Sequence, residues 1–268
     1  MIYSDPVFIF IFLPIVITLS IFLKRQKNNT NKILNLILVA SIIFYLSHGL
    51  FDLLVNFGVL LASYILLKST IKLRYILCLI LIITLMYLKY ENSNLDSYLY
   101  LPIGISFLVF QFLLILFFDK TGITYLISDF RKISVFLLFF CQGVAGPIIS
   151  LKIFKDFLRR VTNLSYFRVK KRIIIILPVF LLAISKKLLL ADPLFDMYFL
   201  MYEEDINSFI YFYLISLIFL MALYFDFSAY SEMAWSVALI LGMKLPINFA
   251  SPLRAISYVE LWRRWHIT

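Results

Sequence analysis

Long uncharged apolar segments alternate with short charged segments along this chain. Four of the apolar runs contain 18 to 20 residues: Pro6–Leu23, Leu99–Phe118, Ile133–Leu151 and Ile206–Phe225. A helix that crosses the hydrocarbon core of a bilayer needs about 20 such residues. The runs lack the alternation of polar and apolar positions that marks a membrane strand, and unpaired backbone groups are not tolerated in lipid. Each run therefore predicts a transmembrane helix.

Shorter apolar runs lie between the long ones, at Ile33–Leu50, Leu53–Leu67, Tyr75–Leu88 and Ile173–Ser185. With 63% hydrophobic residues the chain is too apolar for an ordinary soluble domain. It contains no repeat of solenoid period and no linker long enough to divide two domains. We therefore expect an all-α, polytopic membrane protein, in which residues 1–268 form a single helical bundle with about seven or eight membrane segments.

The charged segments orient these predicted helices. Residues 24–32, 68–74 and 151–172 are rich in lysine and arginine, whereas residues 191–205 hold five acidic residues and no base. The positive-inside rule places the basic loops in the cytoplasm and the N-terminus outside. The net charge of +10 is spread over these loops, so topology and attraction to anionic lipids explain it. We expect membrane lipids as partners and no nucleic acid.

The run Ile133–Leu151 departs from this alternation, because basic segments at 119–132 and 151–172 flank it on both sides. If both segments are cytoplasmic, the run enters and leaves the membrane on the same side. Its centre reads CQGVAGP, and two glycines and a proline favour a break in a helix. Irregular backbone at this depth needs cover from protein or from a water-filled cavity. Two alternatives stay open, a re-entrant segment and a full span with an ordinary kink.

Residues 151–172 interleave basic and aromatic positions, a pattern typical of an amphipathic helix in the membrane interface. The alternative is a docking surface for an anionic donor or an acidic carrier protein. Elsewhere, Cys78 and Cys141 both lie inside apolar runs, where cysteine behaves as a small buried hydrophobe. The sequence has no cluster of cysteine and histidine with metal-ligand spacing, so no metal is expected.

The last ten residues, VELWRRWHIT, concentrate side chains that are unfavourable inside a membrane. If this segment is helical, Trp262, Trp265 and His266 share one face, at positions i, i+3 and i+4, and Glu260 pairs with Arg264 at i+4. A neutral imidazole beside an aromatic wall can take a proton from an alcohol, so His266 is a candidate general base. The alternative is an interfacial belt of tryptophan and arginine in which His266 is incidental.

Two carboxylates, Asp226 and Glu232, lie in an otherwise apolar stretch upstream of this histidine. A carboxylate at membrane depth costs about 2.5–3.5 kcal/mol on insertion scales, so it normally faces a cavity or a partner. Ser228 and Tyr230 add hydroxyl groups beside the carboxylates. Together these residues predict the lining of a polar tunnel. Helix capping and hydrogen bonding between helices remain the alternative.

The stretch that contains these residues resembles the membrane-bound O-acyltransferase family, in the branch of the alginate O-acetyltransferase membrane subunit and the D-alanyl-teichoic acid exporter. The resemblance is carried by YFDFSAYSEMAWSVALILGMKLPINFASP, from residue 224, and by the terminal WRRWHIT. Earlier blocks resemble the same branch in the same order: VFIFIFLPIV, LPIGISFLVFQ, VAGPIIS and KKLLLADPL.

The resemblance implies a function and a site. Members of the family use a histidine in a membrane tunnel to move an acyl group onto a hydroxyl. By this resemblance His266 is the catalytic histidine of a Trp-His-Ile-Ser motif, with Thr268 in place of serine. The expected acceptor is a cell-envelope polysaccharide or a similar extracytoplasmic hydroxyl compound, the donor is an acyl thioester (acyl-CoA or an acyl carrier, with acetyl as the acyl group), and no cofactor is tightly bound. Partner proteins of the acylation pathway and a location in the bacterial cytoplasmic membrane are implied with it.

The chain also departs from the family pattern. Cys141 and Gln142 stand where many relatives have a histidine before the AGP block. Relatives continue through further helices and a second histidine, whereas this sequence holds one other histidine, His48, at an early helix boundary. We therefore expect the chain to correspond to the N-terminal half to two-thirds of an acyltransferase. The alternative is a non-catalytic remnant or a subunit of a membrane assembly.

Overall fold

The structure is a computed structural model that describes residues 3–24, 30–69, 71–93, 102–118, 123–144, 146–163, 166–204 and 208–268. These ranges are mostly helical and contain no strand. The helices are α1 (Leu13–Lys24), α2 (Thr30–Leu46), α3 (Leu50–Lys68), α4 (Ile71–Ser93), α5 (Ile105–Phe118), α6 (Ile123–Ile127), α7 (Phe130–Leu138), α8 (Leu151–Asn163), α9 (Tyr166–Lys186), α10 (Asp192–Tyr202), α11 (Phe209–Leu241) and α12 (Tyr258–Arg264). Short π-helices at Phe8–Phe12 and Lys187–Ala191 adjoin α1 and join α9 to α10, and a 3-10 turn covers Pro252–Arg254.

The lengths of the helices confirm an all-α membrane architecture. Within the described ranges, three helices are long and apolar enough to cross a bilayer: Leu50–Lys68, Val169–Tyr202 and Phe209–Leu241. Four shorter apolar helices accompany them, at Phe8–Leu23, Thr30–Leu46, Cys78–Tyr87 and Ile105–Phe117. At 1.5 Å per residue, α11 is roughly 50 Å long and exceeds the hydrocarbon core. It therefore extends beyond the lipid or tilts within it.

Two predicted boundaries were wrong. The run Ile33–Leu50 does not form one segment, because α2 ends at Leu46 and α3 starts at Leu50. The acidic segment 191–205 was expected to be a loop, but α10 occupies Asp192–Tyr202. The carboxylate of Asp192 is accommodated there because it lies 2.7 Å from the ammonium of Lys187. Residue 205 and the start of the run Ile206–Phe225 lie outside the described residues, as does the start of the run Leu99–Phe118.

The run Ile133–Leu151 is broken, which excludes a continuous kinked span. Helix α7 ends at Leu138, and the backbone stays irregular until α8 begins at Leu151, apart from residue 145, which is not described. Protein covers this irregular backbone, as expected for membrane depth. Phe140 accepts a hydrogen bond from the Tyr3 hydroxyl at 2.6 Å and donates one to Ser41 Oγ at 3.1 Å.

The two flanks of this broken segment approach each other. The ammonium groups of Lys132, in the first turn of α7, and Lys155, in α8, lie 4.3 and 5.1 Å from the ring centre of Tyr125. Such distances are those of cation–π contacts, so both cations contact the same aromatic ring. Since both basic flanks meet at a single tyrosine, the geometry supports an entry and an exit on the same side. The membrane side of each flank stays a prediction.

A close backbone approach holds the block LPIGI against the broken segment. Gly104 has a φ of 80°, which favours glycine, and a Cβ at this position would overlap the carbonyl of Gly143. On the other side of the loop, the Ile103 N–H donates to Asp52 Oδ1 at 2.7 Å, and Asn56 Nδ2 donates to the Ile103 carbonyl at 3.0 Å. The buried polar groups of α3 therefore fix the start of α5.

Helices α9 and α11 pack along each other and carry most of the candidate site. They are antiparallel, since Arg172 of α9 donates to the carbonyl of Leu239 at 3.4 Å, whereas Lys186 at the other end of α9 reaches Ser228. Gly242 ends α11 with a φ of 110°, a left-handed C-cap that turns the chain back toward the bundle. The segment after it then runs beside the C-terminal residues.

Candidate active site

Glu232 and Ser228 are held together by a lysine that the sequence analysis did not single out. They lie four residues apart on α11, on the same face. Lys186 Nζ lies 2.7 Å from Glu232 Oε1 and donates to Ser228 Oγ at 2.9 Å, and the Ser228 hydroxyl lies 3.4 Å from the same carboxylate oxygen. Three polar groups thus converge between α9 and α11. Lys186 is therefore the partner of Glu232, a carboxylate that the sequence placed at membrane depth.

Lys187, the next residue, serves a different pair of carboxylates. Its ammonium lies 2.7 Å from Asp226 Oδ1 and 2.7 Å from Asp192 Oδ1. It is the first residue of the π-helix Lys187–Ala191, and π-helical turns of this kind are frequent at functional sites. Lys187 therefore joins α10 to α11 through an ionic bridge. The sequence does contain a signal for both lysines. They are adjacent charges in an apolar stretch, and a charge at membrane depth needs a partner.

A cavity of about 220 Å³ opens beside Glu232. Its wall combines apolar side chains with a few polar groups, as is usual for ligand pockets. The lining residues are Val179, Ser228, Ser231, Glu232, Trp235, Pro246, Ile247, Asn248 and Phe249. Of the predicted tunnel residues, Ser228 and Glu232 therefore face one cavity. Asn248 and Phe249 were missed, because nothing in a single sequence shows that the chain after Gly242 folds back.

Asn248 connects the cavity wall to the C-terminal residues. It is 1% exposed, and its Nδ2 donates to Ser231 Oγ at 3.3 Å. The Thr268 hydroxyl donates to its Oδ1, and the Ile267 N–H donates to its carbonyl at 3.0 Å. The Ala250 N–H also donates a hydrogen bond to the Arg264 carbonyl at 3.0 Å. The chain on both sides of His266 is thus anchored to the cavity wall.

His266 lies beside the cavity across one aromatic ring. Its imidazole meets the ring of Phe249 edge-on, with the ring centres 6.1 Å apart, and Phe249 also lines the cavity. The Nδ1 atom of His266 lies 3.3 Å from the backbone oxygen of Thr268. His266 has a φ of 44°, a left-handed conformation that is uncommon outside glycine. Strained backbone of this kind occurs at active sites when its surroundings hold it.

The common helix face predicted for Trp262, Trp265 and His266 was wrong. Helix α12 ends at Arg264, because the backbone after it bonds to the 248–250 segment instead of continuing the helix. Trp265 packs on Phe249, with ring centres 5.4 Å apart. Trp262 is 70% exposed and does not join this aromatic contact. The tunnel role predicted for Trp262 has no support from its position.

The predicted pairing of Glu260 with Arg264 is confirmed, at 2.6 Å. Glu260 also accepts from the Ile256 N–H at 3.0 Å, and Ser257 caps the helix by accepting from the Glu260 N–H at 3.2 Å. The hydrogen bond from Ile256, followed by that from Arg264, holds the pKa of the Glu260 carboxyl below its usual value. These contacts stabilise the short helix that precedes His266.

Asp226 and Tyr230 do not line the cavity described above. Asp226 pairs with Lys187, and Tyr230 is buried on another face of α11, where it stacks on Tyr3 with ring centres 4.6 Å apart. Within the described part of the chain, no hydrogen bond or ion pair joins His266 to either carboxylate of α11. The same residues contain no group of three or more His, Cys, Asp and Glu side chains placed to hold a metal ion.

Comparison with known proteins adds a family to this geometry. A model of the membrane-bound O-acyltransferase family matches residues 42–268. The chain is 29% identical over its whole length to a probable alginate O-acetylase of Pseudomonas syringae pv. tomato, of which it covers 55%. A peptidoglycan O-acetyltransferase of Helicobacter pylori is 36% identical over 53% of this chain and 27% of its own length.

A teichoic acid D-alanyltransferase of Bacillus subtilis is 28% identical over 65% of this chain and 43% of its own length. The chain spans about half the length of the alginate O-acetylases that it matches, 55% for the Pseudomonas syringae protein. The family match includes the two helices that carry the lysine–carboxylate contacts, the cavity wall and His266. The chain belongs to the membrane-bound O-acyltransferase family.

Proposed function

We propose that this protein is an O-acyltransferase of the bacterial cytoplasmic membrane, a multi-pass protein that moves an acyl group, most simply acetyl, from a thioester donor to hydroxyls of a cell-envelope polysaccharide. Three relatives named for O-acetylation or D-alanylation support this reaction class. The donor is acyl-CoA or an acyl carrier and acts as a co-substrate, so the reaction needs no tightly bound cofactor. The basic surface of α8 fits an anionic donor or an acidic carrier as a partner.

One observation carries the proposal most directly. Phe249 forms part of the cavity wall and also contacts the His266 ring, so the imidazole lies one aromatic ring away from a cavity that contains Glu232. A mostly apolar cavity with a few polar groups suits an acyl group and its attached chain. An imidazole beside it is a group that can remove a proton from an attacking hydroxyl.

The chemistry follows from these groups. Neutral His266 accepts the proton of the acceptor hydroxyl while the oxygen attacks the thioester carbonyl. The tetrahedral intermediate then expels the thiolate, and the imidazolium returns the proton to the sulfur, so that an ester and a free thiol result. Base catalysis of this kind typically contributes about 10²–10⁴-fold to the rate. Asn248 and Thr268 hold the backbone around the imidazole and so restrict its position.

The test is the substitution His266→Ala in the protein produced from its own gene in its native host. Alkali-labile acetate on the envelope polysaccharide should fall by more than about tenfold, or ~1.4 kcal/mol of transition-state stabilisation. The matched control is His48→Ala, since His48 lies in the turn after α2, where its Nδ1 is 3.0 Å from the Phe44 carbonyl.

The amount of each variant in the membrane is measured alongside the acetate. Undiminished acetylation by the His266→Ala variant, or no acetylation by the wild type, would favour the second candidate function, a non-catalytic subunit of a membrane assembly.

A further inference from the structure

Lys186, at the end of α9, contacts two residues of the cavity wall, Ser228 and Glu232. We propose that Lys186 is a positioning residue: it holds the Glu232 carboxylate in one orientation, so that the carboxylate accepts a hydrogen bond from an O–H or N–H group of the substrate. The inference deepens the proposed acyl transfer and rests on it. It assigns a role to a residue that touches the cavity through its partner rather than through the reacting atoms.

The first support is the setting of the carboxylate. The Glu232 side chain is 40% exposed and faces a cavity whose other walls include Val179, Trp235 and Ile247. An isolated charge beside such walls is poorly solvated unless a partner stabilises it. Lys186, at 2.7 Å, is the ion-pair partner among the described residues. The pair keeps a negative oxygen at a wall that is otherwise uncharged.

The second support is the hydrogen bonding of the other polar groups in the wall. Ser231 and Asn248 bond to each other, and Asn248 also binds Thr268, so much of their capacity is used inside the protein. Ser228 binds Lys186. Glu232 carries two oxygens with several acceptor positions, and the contacts to Lys186 and Ser228 both involve Oε1. The carboxylate is thus the strongest acceptor that the cavity offers to a substrate.

The third support is the divergence of Lys186 from its neighbour. Successive residues on a helix point about 100° apart, so adjacent lysines reach different partners. Lys187 bonds to Asp226 and Asp192, which are not in the cavity wall, whereas Lys186 bonds to Ser228 and Glu232, which are. Two lysines of equal chemistry therefore divide into one that joins helices and one that orients a cavity group. This division supplies a matched control.

The experiment measures acetyl transfer in membranes of the native host, with radiolabelled acetyl-CoA as donor and the host's isolated envelope polysaccharide as acceptor. Lys186→Met should lower kcat/KM by about tenfold or more at unchanged abundance, and Lys186→Arg should restore it to within about threefold. If Lys186 acts through Glu232, the kcat/KM of the double variant Lys186→Met/Glu232→Gln should be no lower than that of the less active single variant. Lys187→Met should lower abundance and leave kcat per molecule within about twofold.

The outcomes separate this inference from the proposed function. A wild type that puts no acetate on the envelope polysaccharide, either in this assay or in the host, overturns both, whereas an active wild type with Lys186→Met within about twofold overturns the positioning role alone. Additive losses in the double variant would also overturn it, because they would make the two residues independent. Should Lys186→Met fail to accumulate, Glu232→Gln decides: transfer within about twofold of the wild type contradicts the role.

Discussion

Gln111 holds the backbone of Ile149 with both ends of its amide. Its Nε2 donates to the Ile149 carbonyl at 2.6 Å, and its Oε1 accepts from the Ile149 N–H at 3.0 Å. The amide thus takes the place of a neighbouring strand for one residue of irregular, buried backbone. Backbone groups at membrane depth must be paired within the protein, so this one side chain is a condition for the broken segment between α7 and α8.

Replacing Gln111 by leucine should therefore destabilise the protein. The variant leaves one buried N–H and one buried carbonyl of Ile149 without a partner, and each such group costs about 1–3 kcal/mol. Gln142→Leu is the graded control, since Gln142 donates one bond, to the Pro147 carbonyl at 3.1 Å. Thermal unfolding of the purified protein in detergent measures both. If both variants lowered the unfolding temperature equally, the second hydrogen bond of Gln111 would add nothing to stability.

The flanks of the same segment give a prediction of topology. Tyr125 meets the ammonium of Lys155 at 5.1 Å, so residues 125 and 160 should lie on the same side of the membrane. Tyr125→Cys and Arg160→Cys should then both react with a membrane-impermeant maleimide from one side of oriented vesicles. The native Cys78 and Cys141 are buried and give little background. Reaction from opposite sides would exclude a re-entrant segment and would require a crossing between α7 and α8.

Sequence patterns predicted the helices better than they predicted the site. Apolar runs located the membrane segments, and the glycines and proline near Cys141 predicted the break, because both signals are local. The helix face of Trp262 and Trp265 failed because the 3.6-residue period assumes a continuous helix, and long-range backbone bonds end α12 at Arg264. Local propensity does not foresee such a tertiary competitor.

The lysine contacts are the second part of the site that the sequence did not reveal. Lys186 and Glu232 are 46 residues apart, and no local rule pairs them. The general rule that buried charges need partners applied to the lysines as well as to the carboxylates. It would have predicted that partners exist, but only the packing of α9 on α11 shows which lysine pairs with which acid. Specific pairing is a property of the tertiary structure.

Asp226 should behave as a structural residue rather than as part of the cavity. Asp226→Asn removes one of the two carboxylates that share Lys187, and Asp192 stays 2.7 Å from the same ammonium. We therefore expect a lower amount of protein in the membrane and a lower unfolding temperature, while acetyl transfer per molecule stays within about twofold. Immunoblots and the transfer assay, applied to the same membranes, separate these effects. Loss of transfer at normal abundance would instead place Asp226 among the residues that contact the substrate.

Thr268 stands where the family motif has serine, and the structure explains why a hydroxyl is needed there. It donates to Oδ1 of Asn248, a residue that is 1% exposed and lines the cavity. Thr268→Ser keeps the donor and should be neutral. Thr268→Val keeps the shape but leaves a buried acceptor unpaired, at a cost of about 1–3 kcal/mol.

The loss should appear in two measurements. Because Asn248 also accepts from the Ile267 N–H, the unpaired side chain loosens the backbone that holds His266, and acetyl transfer per molecule should fall together with the unfolding temperature. Thr268→Ser is the matched control in the same membranes. If valine lowered the unfolding temperature but not the transfer, Asn248 would stabilise the fold without positioning His266. If serine and valine were equally active and equally stable, the hydroxyl of Thr268 would have neither role.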